Sequence, residues 1–440
     1  MRDVAVTLAV FGSLPFILRR PWIGIIMFSW LGFMNPHRMA WGFSMNMPFA
    51  MIVALTTLVG ILASSEPKKI PWTRESVVLL CFVLWTVFTT LFALFPGEAW
   101  LQLEKVLKIQ LMIFVAMMLI TTRERVHLLV VTMALSIGFY GVKGGIFTIL
   151  HGGAHQVMGP PGTFIDGNNE IGLALTMTIP LLYYMVRYTK QKALRLPLVA
   201  AMILTAIAAV GTQSRGALLG LAGMAVFLWL KSRQKIWIGL IVGGSAAAIA
   251  LLMPESWYAR MHTIENYDQD RSAQGRLTAW RMAINLASSR LTGGGFETFR
   301  REAFAIYAPE TGHVHDAHSI YFEVLGEHGW VGLGLFLLLA AFTWLTASRV
   351  ARRAEEAEST KWLADLCRMV QVSMIAYATA GAFLGLGYFD FYYSLIVVVI
   401  AARRILDSER AVLEKAAPAA GAGVERRRPP ARAPALAPRR

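Results

Sequence analysis

Apolar residues in this chain gather in long runs, separated by short polar and basic intervals. The runs lie near residues 4–18, 22–34, 48–64, 76–94, 101–121, 125–149, 169–187, 196–212, 216–230, 236–253, 329–347, 366–386 and 389–404. Most are about 15–25 residues long, the length at which a helix crosses a bilayer core. The first two are short and also readable as one kinked element. The pattern predicts an all-α, polytopic integral membrane protein of roughly 12 transmembrane helices. No small-residue cleavage site follows the first run, which is therefore read as retained.

The polar intervals set the orientation. Arg19-Arg20, Lys68-Lys69 with Arg74, Arg123 with Arg125, residues 187–195, 231–235 and 349–361, and Arg403-Arg404 fall on one side if the runs alternate. Clustered Lys and Arg mark the cytoplasmic side. The outer side then receives residues 35–47, 95–100, 150–168, the turn at 213–215, the segment 254–328 and the turn at 387–389. This predicts N-terminal membrane helices over 1–253 and an outer loop domain over 254–328. C-terminal membrane helices over 329–411 and a disordered, basic cytoplasmic tail over 412–440 complete the layout. Within the loop, Leu277, Trp280, Ile284 and Leu286 follow a partly helical period, and Gly293-Gly294-Gly295 ends it. The tail is rich in Ala, Pro, Gly and Arg and too poor in large apolar residues to bury a core.

Composition agrees with the pattern. Of 440 residues 56% are hydrophobic and 16% charged, with a mean hydropathy of +0.52. A soluble domain is about 45–50% apolar and about 25% charged. The net charge of +15 sits in inter-span loops and the tail, which argues for membrane topology and against nucleic acid. Cys81 and Cys367 both lie in apolar runs and form no CxxC pair, so a disulfide framework and a zinc site have no basis.

Candidate chemistry gathers on the outer side. Arg215, in Gly211-Thr-Gln-Ser-Arg-Gly216, breaks the charge trend. It reads either as an arginine reaching lipid headgroups or as an anion site, since guanidinium forks onto phosphate oxygens at a helix start. Arg276 lies in Gln274-Gly-Arg-Leu-Thr-Ala-Trp-Arg281 and reads as a solvated face or a second anion ligand, with Arg281 as its alternate. His313, His315, Asp316 and His318 suggest metal ligands or a general base. The metal reading is weak, because His-x-His-x-x-His in a loop is unspecific. His318 is best placed as the base, where apolar periodicity begins, and His315 competes with it. Asn168 and Asn169 close a turn-rich loop that is structural or sugar-binding. Asp390 sits among interfacial aromatics that form a belt or face a sugar. Lys105 and Lys108 snorkel or help neutralise a phosphate.

These residues together resemble the O-antigen ligase and polymerase superfamily. The resemblance rests on Ser214-Arg-Gly216 between two runs, Gly275-Arg-x-x-x-Trp280, Gly293-Gly-Gly-Phe-Glu-Thr-Phe299, and His318-Ser-x-Tyr-x-x-x-Leu-x-Glu-x-Gly329. It is strongest over residues 159–345 and looks closest to bacterial O-antigen ligases. It implies a bacterial inner-membrane enzyme whose site faces the periplasm. The implied donor is an undecaprenyl-pyrophosphate-linked glycan, and the acceptor a sugar hydroxyl of lipid A–core. The implied reaction is an inverting, metal-independent transfer without a cofactor. On this resemblance His318, or its neighbour His315, is the catalytic base, while Arg215 and Arg276 bind pyrophosphate. Asn168, Asn169, Asp390 and Lys108 are further substrate-binding candidates. Ser319 stands where the family often has Asn. The superfamily also implies two related activities, glycan polymerase and protein O-oligosaccharyltransferase. A rival of another class is a lipid or polysaccharide transporter. Against it, the unusual polar groups gather at one surface, and no internal repeat is visible.

Overall fold

Each apolar run overlaps a helix in the structure, a computed structural model. It describes residues 1–66, 68–232, 234–255, 257–258, 271–309 and 314–424. The helices are α1 (Arg2–Arg19), α2 (Trp22–Met34), α3 (Phe49–Ala63), α4 (Arg74–Leu91), α5 (Pro96–Leu119), α6 (Arg123–Leu150), α7 (Asn168–Tyr188), α8 (Lys192–Gly211), α9 (Arg215–Lys231) and α10 (Lys235–Leu252). After them come α11 (Arg271–Ser289), α12 (Arg301–Tyr307), α13 (Ile320–Ala354), α14 (Lys361–Ala380) and α15 (Asp390–Val424). Among the described residues there is no strand, and the chain is an all-α polytopic membrane protein.

Six helices are long and apolar enough to cross a membrane by length and composition alone: α4, α6, α7, α8, α13 and a segment over 358–383 that contains α14. Shorter apolar helices are α2, α3 and the first part of α10. The others fall short for visible reasons. Charge interrupts α1 at Arg2, Asp3 and Arg19, and α5 at Glu104, Lys105 and Lys108.

Starts follow local chemistry. Thr73 caps α4 in a reciprocal capping box with Ser76, and Thr122 caps α6 by accepting from the Arg125 amide. The core sits where α6, α7, α13, α14 and α15 meet. From Phe391 to Ala402 every apolar side chain of α15 is buried, as expected of a helix enclosed on all sides. The outer helices turn large apolar side chains outward, including Leu8, Leu62, Leu196, Ile236 and Trp237, the surface that lipid would cover.

Two boundaries differ from the hydropathy pattern. α13 begins at Ile320, well before the apolar run at 329, and is broken at Gly329 (φ 66°, ψ −172°). Its first turns are amphipathic, so hydropathy misses them. α15 continues to Val424, beyond the expected start of the tail at 412, because Ala-rich sequence sustains helix without apolar burial. Residues 425–440 lie outside the described residues, as does His313. The segment 254–328 holds α11 and α12, and the chain leaves helix before Gly293, which has a positive φ.

Candidate active site

Arg215 opens α9. The turn before it is held from three sides. Ser214 Oγ donates to Asn169 Oδ1 at 2.7 Å and accepts from the Ala217 amide at 3.3 Å, capping the helix. Asn168 Nδ2 donates to the Thr212 carbonyl at 3.0 Å. Gln213, in the left-handed region at φ 53°, donates from Nε2 to the Gly153 carbonyl at 2.9 Å. The two asparagines thus clamp the turn that aims Arg215.

Arg276 lies on α11, one turn before Trp280 and on the same face. The Trp280 indole donates to the Ala317 carbonyl at 2.8 Å and stacks on Phe322 at 4.6 Å between ring centroids, with planes 11° apart. This fixes the 314–319 segment against α11. The same segment packs against Gly275, where an added Cβ would lie 2.5–2.6 Å from the His315 ring. Glycine in Gly275-Arg276 is therefore a steric requirement of this contact.

Phe383 links the two arginines' surroundings. Its ring lies 6.2 Å from Trp280, and a Cβ on Gly216 would stand 3.8 Å from the Phe383 Cβ. The start of α9, the Arg276 face of α11 and the 314–319 segment thus border one aromatic patch of Trp280, Phe322 and Phe383.

His318 is half-buried and takes φ 42°. Left-handed backbone is uncommon for a residue with a side chain, and such conformations cost of order 1–3 kcal/mol. Burial lowers the pKa of its imidazole below the usual 6.5, Asp316 opposes this, and the charges of Arg276 and His315 add to it. Arg276 and His315 are therefore electrostatic neighbours of His318, and the ring is held toward its neutral, proton-accepting form. Asp316 is exposed, and its charge reaches Glu170 in the first turn of α7.

The other candidates stand elsewhere. Lys108 is exposed on α5 and pairs with Glu104 one turn before it, and Lys105 is exposed nearby. α5 packs chiefly against α2, α4 and α15, not against the elements that carry the histidine and the two arginines. Asp390 lies in the first turn of α15, where a carboxylate complements the helix dipole, and its Oδ2 approaches Gly32 of α2. Arg281 is exposed on another face of α11. Among the described residues no three His, Cys, Asp or Glu side chains converge on a metal-sized site.

Sequence reasoning overlooked a polar cluster beneath this region. Glu327, buried, accepts from the Glu297 amide at 2.8 Å and from the Tyr388 hydroxyl at 2.6 Å. One turn earlier, Glu323 accepts from the Gly387 amide at 2.8 Å. His328 pairs through Nδ1 with Thr89 Oγ1 at 2.7 Å. The clue was two carboxylates at i and i+4 entering an apolar run. An apolar cavity of about 230 Å3 also opens between α13, α14 and α15, from Ile320 and Tyr321 to Trp344.

Comparison with known families places these elements. Residues 1–190 match a family of unknown function, DUF5935. Comparison with curated proteins finds no match. Residues 200–337, the stretch that holds Arg215, Arg276, His315 and His318, match the O-antigen ligase family. Over residues 200–337 the chain is thus similar to the O-antigen ligase family.

Proposed function

We propose that the chain is an O-antigen ligase of the bacterial inner membrane. It moves a glycan from undecaprenyl pyrophosphate to a sugar hydroxyl of lipid A–core, on the periplasmic face. The observation that carries this reading is His318: a histidine kept toward neutrality beside Arg276, on strained backbone, in the family-matched stretch.

The mechanism follows from the charges. The leaving group is a lipid pyrophosphate, on which negative charge grows as the glycosidic bond breaks. Arg215 and Arg276 bind it through forked guanidinium contacts, in the role a divalent ion plays in many sugar-nucleotide enzymes. The neutral imidazole of His318 takes the acceptor hydroxyl proton as oxygen attacks from the opposite face, which inverts the anomeric centre. His315 packs beside it and supports that geometry. Asn168 and Asn169 act by holding the Arg215 turn. The apolar cavity beginning at Ile320 suits the polyprenyl chain of the donor.

The test offers purified protein an undecaprenyl-pyrophosphate-linked glycan with lipid A–core, a glycan primer or an acceptor protein, each in its own tube. The expected result is transfer to lipid A–core alone, in detergent without a sealed compartment and unchanged by EDTA. Chain extension of the primer would instead make the protein a polymerase, and labelling of the protein acceptor an oligosaccharyltransferase. Glycan movement only across sealed vesicles would make it a transporter.

A further inference from the structure

The end of the molecule away from His318 contains a second cavity, of about 300 Å3, between the C-terminal half of α13 and the middle of α15. From Trp330, just past the break at Gly329, α13 runs unbroken for 19 residues to Arg349, about 29 Å of helix rise and close to the thickness of a bilayer core. The cavity therefore belongs to the opposite face of the membrane. Its lining is Thr346, Arg349, Val350, Arg353, Arg403, Leu406 and Asp407.

Three arginines against one aspartate leave the lining cationic. Arg403 Nε stands 3.6 Å from Asp407 Oδ2 one turn away, so that carboxylate offsets Arg403. Among the described residues no carboxylate pairs with Arg349 or Arg353. The nearby acids are already engaged: Glu356 pairs with Arg410, Glu355 with Arg368, and Glu75 accepts from the Thr346 hydroxyl at the cavity floor. Arg74, which also reaches Thr346, lies over the Phe342 ring at 4.7 Å and stands 4.0 Å from Glu75, so those two charges offset each other behind the floor and the cationic character comes from the lining arginines.

We propose that this cavity binds the phosphodiester headgroup of an anionic phospholipid from the cytoplasmic leaflet. Arg349 and Arg353 are the principal ligands, one turn apart on α13, and Arg403 closes the site from α15. Guanidinium forks match phosphate oxygens, and basic pockets between membrane helices on this side hold anionic headgroups. The volume is at the lower end of small-molecule sites, suited to a headgroup rather than to a whole nucleotide. Val350 and Leu406 are buried and close the lining, while Leu345, one turn before Arg349 on the same face of α13, is exposed and with Leu338 offers acyl chains an apolar track leading to the arginines. A free phosphate compound would gain nothing from that track, which is why a lipid is the occupant. The site is independent of the glycan-transfer reading and uses none of its residues.

The experiment is native mass spectrometry of the purified, full-length protein in detergent, with phosphatidylglycerol or phosphatidylcholine added at equal concentration. Phosphatidylglycerol is expected to remain bound in preference. Arg349→Gln with Arg353→Gln should weaken its retention by about tenfold, while Arg352→Gln, on the same turn but outside the cavity, should not. The tryptophan fluorescence and elution volume of each variant show that it is folded, and Arg403→Gln repeats the test from the other wall. Equal retention of the two lipids by the wild type, or equal loss in the Arg352→Gln protein, would overturn the proposal. Inorganic phosphate is the last arm. Thermal stabilisation by it alone, equal to that by phosphatidylglycerol, would overturn the assignment to lipid.

Discussion

His318 combines two properties expected of a poised base. Its backbone is held at φ 42°, and its imidazole is kept toward the neutral form by burial and by Arg276. Transfer should then fall as pH drops through a pKa below the ordinary 6.5. Asp316 is the one neighbour that favours the charged ring. Asp316→Asn removes it, so the acid limb of the pH–rate profile should move to lower pH. A limb that stays in place or moves upward would contradict this assignment of charges. At Arg215 the question is geometry rather than charge. Arg215→Lys keeps the cation and loses the fork, and turnover should drop about a hundredfold. Full turnover by that variant would reduce Arg215 to a headgroup contact. The sequence pointed to Arg215 because it breaks the charge trend between runs, to His318 because it stands where apolar periodicity begins, and to Arg276 through the motif it shares with the family. It gave no sign of the Trp280–Ala317 contact or of the left-handed φ at His318, since both depend on segments that meet only in the folded chain. For the same reason it offered Lys108 as a candidate: its place near the outer end of a span is legible, but the side on which α5 packs is not.

At the scale of elements, the stretch 291–297 is fastened to α13 through Glu327 and through the break at Gly329. Hydropathy located the apolar part of α13 but not its first turns, where Glu323, Glu327 and His328 dilute the apolar signal. Those turns follow directly on the 314–319 segment that carries His318. Gly329 occupies backbone nearly reserved for glycine, and an added Cβ would lie 2.3 Å from the Leu291 carbonyl oxygen. Gly329→Ala should therefore destabilise the protein by at least about 1–3 kcal/mol, read as a lower thermal midpoint in detergent. It should also loosen residues 291–297 from α13, read as faster proteolysis within that stretch. An unchanged midpoint would mean that the break is not enforced there.

For the whole molecule, the thirteen apolar runs and the basic loops were legible because bilayer length and charge asymmetry are strong, local constraints. The pairing of helices was not legible, because lipid-facing and buried apolar residues have the same composition. That pairing creates the function proposed here: it brings α7, α9, α11 and the start of α13 together at one face and leaves the arginine-lined cavity at the other. The most direct test of the central claim is single-turnover transfer by purified His318→Ala, with saturating lipid-linked glycan and lipid A–core. A base that accepts the attacking proton predicts a rate lower by about 10²–10⁴-fold, with donor binding and the folded state retained. Transfer at a near wild-type rate by that variant would contradict the account.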